Sequence, residues 1–149
     1  ELTEDAVVYD IGAGTGSVSV EIALSGEKIK VYAIEKNPEG VELIRQNRKK
    51  FRVDGIRIIE GNAPEVLEGL EMPTHVFIGG SSGNLRQIIE KVTAANPEVK
   101  IVLNAISLET LGEVMELSKD GLLKEIQEKR RLCNLLGVTA GLFLTILIL

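Results

Sequence analysis

Short apolar runs rich in β-branched residues alternate with longer segments whose apolar positions recur at helical spacing. Residues 6–11 (AVVYDI), Lys30–Glu35 (KVYAIE), 55–60 (GIRIIE), His75–Ile78 (HVFI) and 99–104 (VKIVLN) read as strands. Between them, Ser17–Leu24, Pro38–Phe51, 84–92 and 108–118 read as helices, with a short one at 63–70. Pro38 suits a first helical turn, where its missing N–H costs nothing, and Val41, Leu43 and Ile44 supply apolar positions behind it.

Five such βα repeats predict an α/β fold, a mostly parallel sheet with helices on both faces. Right-handed crossovers make it doubly wound and Rossmann-like. Ligands of such sheets bind at the carboxyl ends of the strands, near the point where strand order reverses. Residues 1–149 show no internal repeat and no second domain, so one domain is expected. The chain opens at Glu1, a few residues before the first strand, which reads as a chain lacking an N-terminal segment.

The last stretch allows two readings. Residues 123–128 suit a sixth strand, 129–131 are basic, and 132–149 carry no charge. Either 141–149 (GLFLTILIL) is a last, buried strand, or 132–149 is a membrane anchor behind a basic flank. A spanning helix needs ~20 apolar residues, and this run contains Asn134, Gly137, Thr139 and Gly141. The strand is preferred, and no membrane partner is expected.

Composition narrows the function. A net charge of −5 argues against a duplex nucleic-acid binder. Three Phe, two Tyr and no Trp offer little stacking surface for single-stranded bases. Cys133 is the only cysteine, which excludes an intramolecular disulfide and suits the cytoplasm. His75, the only histidine, reads as an ordinary strand residue, and no Cys/His cluster suggests a metal.

The chemistry concentrates in residues 8–18, VYDIGAGTGSV. A strand runs into Asp10, glycines follow at 12, 14 and 16, and a helix begins. Glycines there allow a tight turn and close approach of a ligand, and the helix start offers free N–H groups. The spacing is G-x-G-x-G after an acid, whereas nicotinamide and flavin sites show G-x-G-x-x-G. Asp10 would repel a pyrophosphate but suits an amino-acid ammonium, directly or through water. The motif therefore favours S-adenosylmethionine (AdoMet) over NAD, with Asp10, Gly12, Ala13, Gly14, Thr15 and Gly16 as candidate binding residues.

Glu35 ends the second strand about twenty residues later, where an acid can accept both ribose hydroxyls, and Lys36 follows it. After the third strand, Asn62 can bond the adenine amine and Ala63 can offer its N–H to the ring, although Gly61-Asn62 also suits a plain turn. Gly80, Ser81 and Ser82 follow the fourth strand and Asn104 ends the fifth; both groups are candidates for contacting a methyl acceptor. The first could equally be a connector, and Asn104 a strand-end turn or helix cap.

The runs DIGAGTGSVSVE (10–21), AIEKNPE (33–39), EGNAPE (60–65), FIGGSSGNL (77–85) and LNAISLET (103–110) together resemble one family. It is that of the decarboxylating precorrin-6B or cobalt-precorrin-6B C15-methyltransferases of cobalamin synthesis. The resemblance spans roughly residues 2–118, while 128–149 lacks the Asn-Pro of the family tail. It implies a class I methyltransferase that methylates C15 of a tetrapyrrole and removes CO2 from the C12 acetate side chain. It also implies a homo-oligomer, possible as a tetramer, and AdoMet contacts from Gly12–Gly16, Glu35 and Ala63. Family members often carry Asp where this chain has Asn62, whose oxygen can still face the adenine amine.

Such chemistry needs positioning and desolvation more than a nucleophile. Asn104 and Glu109 are candidate catalytic residues, though a helix-start acid such as Glu109 also complements the helix dipole. Asn104, Ser81, Ser82 and Arg86 are candidate donors to tetrapyrrole carboxylates. The rival readings are an RNA or protein methyltransferase, a non-catalytic AdoMet-binding module and a nicotinamide oxidoreductase.

Overall fold

The computed structural model describes residues 2–105, 108–121, 126–128 and 144–148. In chain order the elements are β1 (Val7–Ile11), α1 (Ser17–Leu24), β2 (Lys30–Glu35), α2 (Pro38–Phe51), β3 (Ile56–Glu60), a 3₁₀ turn (Glu65–Leu67), β4 (His75–Ile78), α3 (Leu85–Ala95), β5 (Lys100–Ala105), α4 (Leu108–Lys119), β6 (Ile126–Glu128) and β7 (Leu144–Ile148). They form one sheet in the order β3-β2-β1-β4-β5-β7-β6. The first five strands are parallel. β7 runs antiparallel to both β5 and β6.

The apolar runs become strands because both sheet faces are covered. All five residues of β1 are buried, as in parallel sheets generally. Val7, Tyr9 and Ile11 enter a core with Ile88, Ile89 and Leu117 of α3 and α4. Val8 faces the opposite core, with Val20 of α1 and Ile44 of α2. α3 buries Leu85, Ile88, Ile89 and Val92, one stripe at i, i+3, i+4 and i+7. Each such side chain contributes roughly 1.5–3 kcal/mol relative to an exposed one.

Two boundaries differ from expectation. The helix expected over 63–70 is only the turn Glu65–Leu67. Pro64 disfavours helical geometry at the residue before it, and Gly69 takes φ 77° just beyond. The helix read at 84–92 begins one residue later and runs on to Ala95, with Asn84 as its N-cap.

The preferred strand in the tail is present as Leu144–Ile148. Its burial, and the remainder of 132–143 with Cys133, lie outside the described residues. Among the described residues, no helix is long and apolar enough to cross a membrane, and no group of three His, Cys, Asp or Glu is placed to hold a metal.

From β1 the chain winds one way to β2 and β3, then returns to β4 on the other side. That reversal opens a crevice at the carboxyl ends of β1 and β4.

Candidate active site

The crevice is built where two loops touch. Gly12 leaves β1 with φ 72°. A Cβ there would lie 2.7 Å from both N and O of Gly80 and 2.9 Å from its Cα. The turns after β1 and β4 thus meet backbone to backbone, and only glycine permits it. The amides of Gly79 and Gly80 both donate to Ile11 O, at 2.9 and 3.3 Å. Those of Gly12 and Ala13 donate to Ile34 O, at 2.9 and 3.0 Å. Gly16, at φ 74°, brings the start of α1 against Ile44 of α2.

Glu35 is 9% exposed at the end of β2. Its Oε2 accepts from the Gly14 amide at 2.7 Å and its Oε1 from the Asn37 amide at 2.8 Å. A carboxylate oxygen has about two acceptor positions, so each retains one for a ligand hydroxyl. Asn37 is the N-cap of α2 and accepts from Glu39 N with its side chain, while Pro38 occupies the first turn. Gly40, one turn in, stands against Glu35: a Cβ there would be 2.8 Å from Glu35 Cγ.

Asp10 lies beneath the loop, 1% exposed. Ser19 donates its hydroxyl to Asp10 Oδ2 at 2.5 Å, and Oδ1 has no hydrogen-bond partner. Gly16 gives α1 no side-chain cap, so the β1 carboxylate receives the first-turn donors instead. Burial pushes the Asp10 carboxyl up to about 6, against the Ser19 hydrogen bonds that lower it; Glu35 raises it further.

These elements line an open cleft of about 210 Å³. The structure brings to its wall Gly12, Glu35, Lys36, Asn62, Ala63, Gly80, Ser81 and Ser82, residues singled out from sequence. Ala13, Gly14, Thr15 and Gly16 form the turn beside it rather than its wall. Thr15 is tied to Ser17 through its hydroxyl and to Asn47 through its carbonyl. The Asn62 amide donates to Glu65 Oε2 at 3.3 Å.

Asp10, Asn104 and Arg86 do not line the cleft. Asp10 does not reach the cleft, so direct contact with an ammonium is closed to it and only the route through water remains. Asn104 sits at the end of β5, outside the wall, with Oδ1 buried and unpartnered. Arg86 is not a free donor: Asp120 lies 2.5 Å and Glu90 3.9 Å from its guanidinium. The side chain of Glu109 lies outside the described residues. Sequence reasoning missed Ile11 and Ile34, which floor the cleft together with Gly61. The signal was available, since each isoleucine immediately precedes or nearly precedes a strand's exit.

The family model described as precorrin methyltransferase domain matches residues 2–140. A probable cobalt-precorrin-6B C(15)-methyltransferase (decarboxylating) of Sulfolobus acidocaldarius is 44% identical over 130 residues, 83% of this chain and 66% of that protein. Its counterpart in Sulfurisphaera tokodaii is 40% identical over 116 residues, 76% of this chain and 60% of that protein. The matched part of the chain thus spans less than two thirds of these relatives' length. The crystal structure of a precorrin-6y C5,15-methyltransferase from Geobacter metallireducens aligns with a TM-score of 0.81 at 35% identity, over 99% of this chain and 80% of that one.

Proposed function

We propose, from the premise that this chain belongs to the precorrin methyltransferase domain family, that it is an AdoMet-dependent C-methyltransferase of cobalamin biosynthesis. Its substrate in this reading is precorrin-6B or cobalt-precorrin-6B, methylated at C15 with loss of CO2 from the C12 acetate side chain, which is left as a methyl group. The observation that carries the reading is the Glu35 carboxylate, held at the cleft by the Gly14 amide with acceptor capacity left for two hydroxyls.

The residues present suit AdoMet. The Gly12–Gly16 turn allows close approach, Glu35 can accept the ribose hydroxyls, and Asn62 Oδ1 and the Ala63 N–H can meet the adenine edge. The orphaned Asp10 Oδ1 suits a water that relays to an ammonium. When bound, AdoMet supplies an electrophilic methyl group on a sulfonium. The chain's own part is to bind, to orient and to exclude water. Ile11 and Ile34 keep the floor apolar, and Ser81 and Ser82 offer hydroxyls on the acceptor side. In this reading the macrocycle lies across the rim of the cleft. The same reading includes a cytoplasmic homo-oligomer, which light scattering on the purified protein checks.

The test is calorimetric titration with S-adenosylhomocysteine, repeated on Glu35→Ala and with NADH as control. Micromolar binding, at least tenfold weaker in the variant (~1.4 kcal/mol), supports the cofactor. Incubation with precorrin-6B and AdoMet should then show methyl gain with CO2 loss by mass spectrometry. Tight NADH binding without S-adenosylhomocysteine binding would sink the assignment.

A further inference from the structure

The α2 helix ends in a groove that the proposed reaction does not use. Arg45, Arg48, Lys49 and Arg52 line it together with Asp54, around a space of about 450 Å³. Arg45, Arg48 and Lys49, at i, i+3 and i+4, share one helix face, and Arg52 joins them from the C-cap. α2 starts at the cleft, beside Glu35, and the groove forms toward its other end, with no lining residue in common with the cleft. The chain carries a net −5 overall, yet four cations and one carboxylate give this groove +3 (4 − 1).

Compensation of the helix dipole accounts for only part of it, because the cations outnumber the half charge they face. A helix C-terminus is equivalent to about half a negative charge, felt within the last turn. Arg48 and Lys49 lie in the last turn of α2 and Arg52 at its C-cap, within reach of that half charge, whereas Arg45 lies nearly two turns before the end. On-chain anions neutralise little: Arg45 pairs with Glu42 at 3.5 Å, an exposed contact, and Asp54 supplies one charge. Like charges at these spacings repel, so the arrangement gains from a multivalent anion. Three of the four cations are arginines, whose planar fork matches phosphate oxygens two at a time.

We propose that this groove binds a small oligophosphate anion, at a site separate from the methyl-transfer cleft. Arg45 and Arg48 on the helix and Arg52 at its C-cap bring three guanidinium groups to one groove, which suits successive phosphates of a chain rather than a single one. The proposal does not depend on the assigned reaction.

Calorimetry with inorganic tripolyphosphate tests it, at low and at physiological salt. Micromolar binding is expected, at least tenfold weaker in the double variant Arg48→Gln, Arg52→Asn and within twofold of wild type in Lys91→Gln, outside the groove. Asn is chosen at 52 because the residue has φ 54°, which Asn tolerates. Arg45→Gln, away from the helix cap, should weaken binding by itself, and melting curves show that each variant is folded. Saturating S-adenosylhomocysteine should leave the affinity unchanged. Four results overturn the proposal: no binding at low salt, displacement by S-adenosylhomocysteine, equal affinity for citrate, or tighter binding of a duplex DNA oligomer, which would make the groove a nucleic-acid surface.

Discussion

The amide of Gly14 donates to Oε2 of Glu35 at 2.7 Å, so the carboxylate at the end of β2 fixes the turn that leaves β1. One residue therefore both shapes the glycine loop and presents acceptors to the ligand. In Glu35→Gln one of the two amides, Gly14 or Asn37, would face an NH2 group. A lost hydrogen bond to a charged group costs about 1.5–3 kcal/mol. We expect a melting point several degrees lower and S-adenosylhomocysteine binding at least tenfold weaker. Scanning calorimetry and titration on the same samples read the two effects, and unchanged affinity would remove Glu35 from the site.

Gly12 and Gly14 should respond differently to alanine. Both have positive φ, 72° and 56°, which costs a non-glycine residue roughly 1–2 kcal/mol. Only at Gly12 does the new Cβ also meet backbone, 2.7 Å from Gly80, while nothing lies within 4 Å at Gly14. Gly12→Ala should lose several kcal/mol, on the order of an overpacked core site plus backbone strain, and Gly14→Ala the backbone part alone. Urea unfolding of the two variants gives the comparison; equal losses would contradict the loop contact.

Gly40→Ala tests the support behind Glu35. In an ordinary helix the change stabilises by about 1 kcal/mol. Here the Cβ would lie 2.8 Å from Glu35 Cγ and 3.0 Å from Gly14 O. We expect weaker ligand binding with little gain in melting temperature. A more stable variant with full affinity would show that Glu35 moves aside freely.

Asp10 gives a pH signature. Its folded-state value of about 6 lies above the 3.8 of an unfolded aspartate. The folded state binds the proton more tightly, so this group's stabilisation is complete below pH ~4 and is lost as pH rises through ~6. Two units correspond to about 3 kcal/mol. Asn at position 10 still accepts from Ser19 and has no charge to desolvate. The melting point of Asp10→Asn relative to wild type should rise between pH 4 and 7. A difference flat in pH would mean that Asp10 is ionised throughout without penalty.

Much of this architecture was legible because parallel strands covered on both faces need continuous apolar runs, and the runs at Lys30–Glu35 and His75–Ile78 have no other use. Pro38 and Asn37 marked the start of α2 through local backbone chemistry. The sequence could not show that Asp10 is buried and takes the Ser19 hydroxyl on one carboxylate oxygen. That depends on which face of β1 an alternating residue takes once α1 has packed. Nor could it show that Asp120, thirty-four residues along, captures Arg86. Long-range pairings have no local signature. Of the run read as strand or anchor, Leu144–Ile148 forms a strand paired with β5, a long-range contact with no local signature.

β7 occupies an interior slot, with β5 on one side and β6 on the other. During synthesis on the ribosome, the five parallel strands that carry the cleft emerge well before residues 144–148. Until those residues arrive, β5 ends the sheet with a row of unpaired N–H and C=O groups, and β6 has no neighbour to pair with. A nascent chain can therefore assemble its cleft early and still present an open edge. In that interval the chaperones of the cell, or a second nascent chain, compete with β7 for the same hydrogen bonds.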